Sequence, residues 1–167
     1  MDYGLLFGRV VLGGLMAAHG SQKLFGWFGG YGLAGTAGFF DAIGFRPGRL
    51  FALSASLGEV VSGILVALGL FGPIGPALML TVMIVAAISV HWQHGLFAAS
   101  NGIEVPLLYA AGAAALALTG PGRFSLDALF GFSGIWSAQS DLIVLAIAII
   151  AATATLAMRR TVAGTTA

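Results

Sequence analysis

The 167-residue chain contains no cysteine. It therefore forms no disulfide and runs no thiol chemistry of its own, and any sulfur chemistry belongs to a partner or a bound cofactor. Charge is almost as scarce, at 8% Asp, Glu, Lys and Arg, about a third of what a soluble globular domain carries. A soluble fold of this size cannot coat its surface with so few charges, and a disordered chain is not 59% hydrophobic. The formal net charge is +1 and no basic cluster occurs, which argues against nucleic acid as a partner. The alternating segments of about ten residues that build a membrane β-barrel are missing as well.

What the chain does have is long apolar runs, and these place it in a membrane. About 20 apolar residues carry a helix across the hydrocarbon core, so the length allows four or five spans in one bundle. The runs are 4–25, 51–71, 77–94, 103–119 and 142–158. The first is expected to be retained and not cleaved as a signal, because Asp2 stands where a basic region would be and Arg9 breaks the apolar stretch.

Between the first two runs lies a glycine-rich stretch, 26–32, with Trp27 and Tyr31 as interfacial anchors. Residues 33–44 hold too many glycines for a stable isolated helix and are expected on, or re-entering, the interface. Gly72-Pro73-Ile74-Gly75-Pro76 reads as a tight hairpin. Residues 123–140 form an aromatic connector at the membrane surface, where Ser125 is placed to cap a short helix. Gly4-x-x-x-Gly8 reads as a packing surface, and 161–167 as a frayed tail.

Five spans put the termini on opposite sides. Lys23, Arg46 and Arg49 mark the first long connection and Arg159 and Arg160 the C-terminal end, against Arg9 and Arg123 on the other side. The positive-inside rule then sets the N-terminus out and the C-terminus in the cytoplasm.

With this topology His19 lies ~9 Å and Glu59 ~12 Å from the inner ends of their spans, at 1.5 Å per residue. Lys23, His91, His94 and Glu104 fall in the same inner half, and Arg9 and Arg123 in the outer half. Glu59 has Ala55, Ser56, Ser62 and Gly63 as its helical neighbours. Such small residues let another helix approach, so the carboxylate faces protein and not lipid. It must be paired or protonated there, with His19 and Lys23 as partners by depth. Two readings follow for Glu59, a clasp between the first two spans or a functional group.

Other polar residues leave similar choices open. Arg9 either snorkels to headgroups or pairs with Asp2, or it anchors an anionic ligand. His91 and His94, three residues apart, are interfacial caps or metal or haem ligands. No haem-attachment motif is present, which disfavours haem, and a metal is likewise disfavoured. Glu104 suits a helix start through the helix dipole and is equally a candidate functional carboxylate.

An arginine in the first span, His19-Gly20-Ser21-Gln22-Lys23-Leu24-Phe25-Gly26, Gly58-Glu59 followed by Gly63 and Gly69, Glu104, and Gly120-Pro121-Gly122-Arg123-x-Ser125-x-Asp127 together resemble the DoxX family over residues 1–130. The resemblance implies an all-α polytopic membrane helix bundle with a four-helix core over 1–130. Residues 131–167 then add a connector, a fifth C-terminal transmembrane helix and a short tail. It also implies a redox or oxidative-stress association in a bacterial cytoplasmic membrane. Carried over by motif, the positions are Arg9, His19, Lys23, Glu59, Glu104 and Arg123.

Three functions compete. In a quinone-interacting oxidoreductase subunit, His19 and Glu59 supply protons and Lys23 stabilises negative charge, making these three the catalytic candidates. Arg9, Glu104, Arg123 and Trp27 are then the substrate-binding candidates, quinone is the expected cofactor class, and electrons come from a soluble redox partner. The second function is a non-catalytic scaffold that docks soluble redox enzymes, with a homo-oligomer also open. The third is a small proton-coupled transporter using Glu59 and His19 as a relay; the chain lacks the internal repeat that such a carrier favours.

Overall fold

The computed structural model describes residues 2–161, and every regular element among them is helical. Seven α-helices follow one another: α1 (Asp2–Phe25), α2 (Gly32–Ala42), α3 (Gly48–Leu68), α4 (Ile74–Ala86), α5 (Glu104–Thr119), α6 (Leu126–Phe130) and α7 (Ala138–Ala157). The expected tail lies, from residue 162 onward, outside the described residues.

The punctuation is local chemistry. Gly69, at φ 64°, closes α3 with bonds from its own N–H to Val66 O and from Leu70 N to Leu65 O, a Schellman motif in which glycine avoids the Cβ cost of a left-handed residue. Proline at position 76 sits in the first turn of α4, where a missing N–H costs nothing. The helical path of α4 continues through a π-helical turn at Ala87–His91 and a 3₁₀ turn at Trp92–His94. Ser125 caps α6, accepting from Ala128 N at 3.2 Å as expected. Ser137 and Ser140 form a capping box that starts α7 four residues before its apolar run.

The glycine-rich stretch after residue 32, too weak for an isolated helix, is held as α2 by packing on α1 and α3 and by Thr36 Oγ1, which bonds to Gly32 O and Lys23 O. One expectation is corrected: Gly4 and Gly8 meet nothing within 4 Å. The close approach lies deeper, where Gly13 faces the Gly63 backbone and Gly20 faces Ser56 and Val60. A Cβ at either glycine of α1 would overlap α3, so these two glycines set the helix–helix distance.

Among the described residues, three helical segments are long and apolar enough to cross a membrane: Gly48–Leu68, Ile74–His94 and Ala138–Ala157. Of the other two long helices, α1 has the length but carries Arg9 and His19, and α5 is a shorter apolar helix of 16 residues. Met16, Val66, Met79, Met83, Tyr109, Ala113 and Leu116 join α1, α3, α4 and α5 in one core. Numerous large apolar side chains, Val10, Leu15, Ile147 and Ile150 among them, remain on the outside, the surface that lipid covers.

Contacts fix which ends lie together. Arg123 N approaches Asp2 Oδ1, and Asp127 binds the α3–α4 turn. At the other end Arg160 N donates to Gly44 O at 2.9 Å and Arg159 Nε to Ile43 O at 2.7 Å. The start of α1 and the end of α7 therefore stand at opposite ends of the bundle.

Candidate functional site

A cavity of about 810 Å³ opens among α2, α3 and α4, reached also by Lys23 of α1 and Thr155 of α7. Its walls are mainly apolar, with Phe39 and Phe40 from α2, Phe51 from α3 and Val82 and Val85 from α4. Gly58 also lines this wall, and a Cβ there would meet the Val82 Cγ2 methyl at 3.0 Å, close enough that the valine would have to shift slightly.

Glu59 is the polar feature of the cavity. It is 1% exposed, and one carboxylate oxygen, Oε1, accepts a hydrogen bond from Lys23 Nζ in an ion pair that joins α3 to the end of α1. The other oxygen, Oε2, is buried and has no hydrogen-bond partner among the described residues. Lys23 is about a third exposed, so its ammonium keeps access to the cavity mouth, whereas Glu59 lines the inner wall with almost no surface of its own open to solvent. Ionised carboxylates accept up to four hydrogen bonds, and one bond from Lys23 leaves this group under-used.

His91 also lines the cavity. Its Nδ1 lies 2.7 Å from Asn101 O. A carbonyl oxygen can only accept, so Nδ1 carries the proton and Nε2 is the acceptor in the neutral ring. The π-helical turn at Ala87–His91 brings Ser89, Val90 and His91 onto the cavity wall; turns of this kind recur at functional sites.

The remaining residues singled out from sequence lie elsewhere. The His19 side chain is exposed and its ring meets Tyr109 edge-on at 6.0 Å, on the α5 side of α1. Of the two partners expected for Glu59, the structure pairs Lys23. Trp27 is 58% exposed and packs on Phe25 at 4.9 Å. Glu104 opens α5 and its Oε2 accepts from Ala98 N at 2.7 Å, closing the loop after α4. His94 is exposed, and no group of three or more histidines and carboxylates arranged for a metal occurs among the described residues.

Arg9 and Arg123 stand at the opposite end from the cavity. Arg9 is buried, not snorkelling, and donates to Phe124 O, with Asp127 as its neighbouring negative charge. Arg123 is exposed and lies over the Phe124 ring, 5.2 Å from its centre. The sequence sets His91 beside His94 as an interfacial cap or metal ligand, and the structure puts it on the cavity wall instead. Asp127 enters the sequence reading only as part of the motif after Gly120, although a lone carboxylate in an apolar connector is a signal that it is held by protein.

These features define a polytopic helical membrane protein with an apolar cavity and, among the described residues, one ion pair at its polar end, between buried Glu59 and partly exposed Lys23. The family model described as DoxX matches residues 4–92, α1 through the π-helical turn of α4 and so more than half of the chain. The chain belongs to the DoxX family. Neither the search of curated proteins nor the search of solved structures gave a match.

Proposed function

We propose that this DoxX chain serves a redox system of the bacterial cytoplasmic membrane by taking a quinone-class ring into the cavity beside Lys23 and Glu59. The observation that carries this reading is an apolar, partly aromatic cavity in which a buried carboxylate, Glu59, is paired with the partly exposed ammonium of Lys23. Its volume falls within the range of sites for cofactor-sized ligands, which are mostly apolar with a few placed polar groups. The orphaned Oε2 of Glu59 is a polar group awaiting a partner in such a site.

When bound, the ring supplies two-electron carrier chemistry. The chain's own residues do the rest. Phe39, Phe40 and Phe51 offer the flat apolar walls; Lys23 offers N–H donors to an oxygen at the mouth; Glu59 accepts or returns a proton. Electrons are exchanged with a soluble partner on the cytoplasmic face, and positive residues at 46, 49, 159 and 160 assign that face to the cavity end. In this reading residues 1–130 form the core and 131–167 contribute the wall that includes Thr155.

The test is mass spectrometry of lipids extracted from the chain purified in mild detergent, with Glu59→Gln and His19→Ala alongside. A quinone present near one per chain, depleted in Glu59→Gln and retained in His19→Ala, is expected. A quinone content no higher than in an unrelated membrane protein purified from the same membranes overturns the reading.

A further inference from the structure

Resting on that reading of the cavity, we infer that the site selects the reduced, hydroxyl-bearing form of its ring ligand, a hydroquinone or phenol, over the carbonyl-bearing quinone.

Four hydroxyls on that wall have their single proton committed to backbone. Thr36 donates to Gly32 O or Lys23 O, Thr81 to Ala77 O or Ala148 O, Ser89 to Val85 O and Thr155 to Ala151 O. What each still offers a ligand is lone pairs. The hydroxyls without such a bond among the described residues, Ser54 and Tyr31, are exposed. Glu59 Oε2 is a buried acceptor with no donor, and His91 Nε2 is a second acceptor because Nδ1 donates to Asn101 O. Besides those two hydroxyls at the exposed rim, Lys23 is the donor on this wall, and one of its three N–H protons already goes to Glu59.

A quinone carbonyl only accepts. It can meet Lys23, but it leaves Glu59 Oε2 buried and unpaired. A hydroquinone hydroxyl accepts from Lys23 and donates to Glu59 at the same time, so the pair at the polar end becomes fully satisfied. Leaving a buried charged acceptor without a donor costs at least about 10-fold in affinity, and sites built around a ligand hydroxyl reject analogues that lack it more strongly than apolar pockets reject a missing methylene.

The experiment is calorimetric titration of the full chain in lipid nanodiscs, with partition into empty nanodiscs subtracted. The probes are 2-decyl-1,4-benzohydroquinone under argon, the matching 2-decyl-1,4-benzoquinone, and the redox-inert pair 4-nonylphenol and 4-nonylanisole. We expect the hydroquinone to bind about 10-fold or more tightly than the quinone, and the phenol to exceed its methyl ether in the same sense. Glu59→Gln, which removes the charged acceptor that a ligand hydroxyl meets, is expected to shrink the preference to within about 3-fold by weakening hydroquinone binding; His91→Phe, which leaves the ion pair intact, is expected to shrink it partly. Equal binding of both oxidation states, or tighter quinone, overturns this inference and leaves the ring-binding function standing. Binding of none of the four probes above empty nanodiscs overturns both. The wild-type comparison decides the matter by itself, so a misfolded variant does not blunt it.

Discussion

Asp127 Oδ2 accepts a hydrogen bond from the backbone N–H of Gly72 at 2.6 Å, across 55 positions of sequence. Its Oδ1 accepts from Phe71 N at 2.8 Å, and its own N–H donates to Gly69 O at 3.1 Å. Phe71 and Gly72 both have positive φ, so their N–H groups point out of any helical ladder and need an outside acceptor. The carboxylate is fully buried, with the Arg9 guanidinium as counter-charge. One side chain from the segment after α5 thus fixes the α3–α4 turn, and Arg9 fixes that segment to α1 through Phe124 O.

Asp127→Asn keeps one acceptor oxygen and forfeits a charge-assisted bond, at a cost of about 1.5–3 kcal/mol. Thermal unfolding in detergent should show a Tm lower by roughly 3–12 °C for a chain of this size. Ligand affinity at the cavity, at the other end of the bundle, should be unchanged in the variant well below its Tm. A Tm within a degree of the parent contradicts the clasp.

The glycines of α1 divide into two kinds. At Gly13 an added Cβ overlaps the Gly63 and Ala67 backbone, whereas at Gly14 it meets nothing within 4 Å. Gly13→Ala must push α1 off α3 and is expected to cost about 1–3 kcal/mol as an overpacking change. Gly14→Ala is expected to be neutral or to stabilise by up to about 1 kcal/mol through helix propensity. Side-by-side melting curves check both; equal effects from neighbouring glycines contradict the packing described.

How much of this was legible before folding differs from residue to residue. The membrane-helix class follows from composition, and Glu59 stands out because its neighbours one turn away are small. Depth is legible too, since counting residues at a fixed rise puts Lys23, Glu59, His91 and Glu104 toward one end, where the contacts place them. Direction around a helix is not. His19 and Lys23 lie one turn apart, yet the long stem of Lys23 reaches Glu59 while the short imidazole meets Tyr109. Partners 36 or 55 residues away, as for Lys23–Glu59 and Gly72–Asp127, are set by tertiary packing and leave no periodic trace. The committed hydroxyl protons on the cavity wall become visible only when each side chain's bond is known.

The ion pair is asymmetric, and the asymmetry is measurable. Removing Lys23 strands a carboxylate that is 1% exposed, whereas removing the charge of Glu59 frees an ammonium that is already 36% exposed. Lys23→Met is therefore expected to destabilise by about 3 kcal/mol or more, the range for breaking a buried pair from one side. Glu59→Gln should cost no more than about 1.5 kcal/mol, because Lys23 can turn to water. Joining the two substitutions should recover most of the loss of Lys23→Met. Chemical denaturation of the three variants in one detergent tests the order; a Glu59→Gln loss as large as that of Lys23→Met contradicts it.

The absence of cysteine makes the orientation directly testable, since any introduced thiol is the only one. Arg46 lies in the α2–α3 connection and Arg123 after α5, both exposed and at opposite ends of the bundle. In the proposed orientation the Arg46 end, where positive residues cluster, faces the cytoplasm. With a membrane-impermeant maleimide on intact cells, Arg123→Cys should label at once and Arg46→Cys only after the membrane is opened. The reverse pattern places the cavity mouth outside and removes the proposed cytoplasmic redox partner from reach. Labelling of both from one side contradicts the three crossings, by α3, α4 and α5, that separate Arg46 from Arg123.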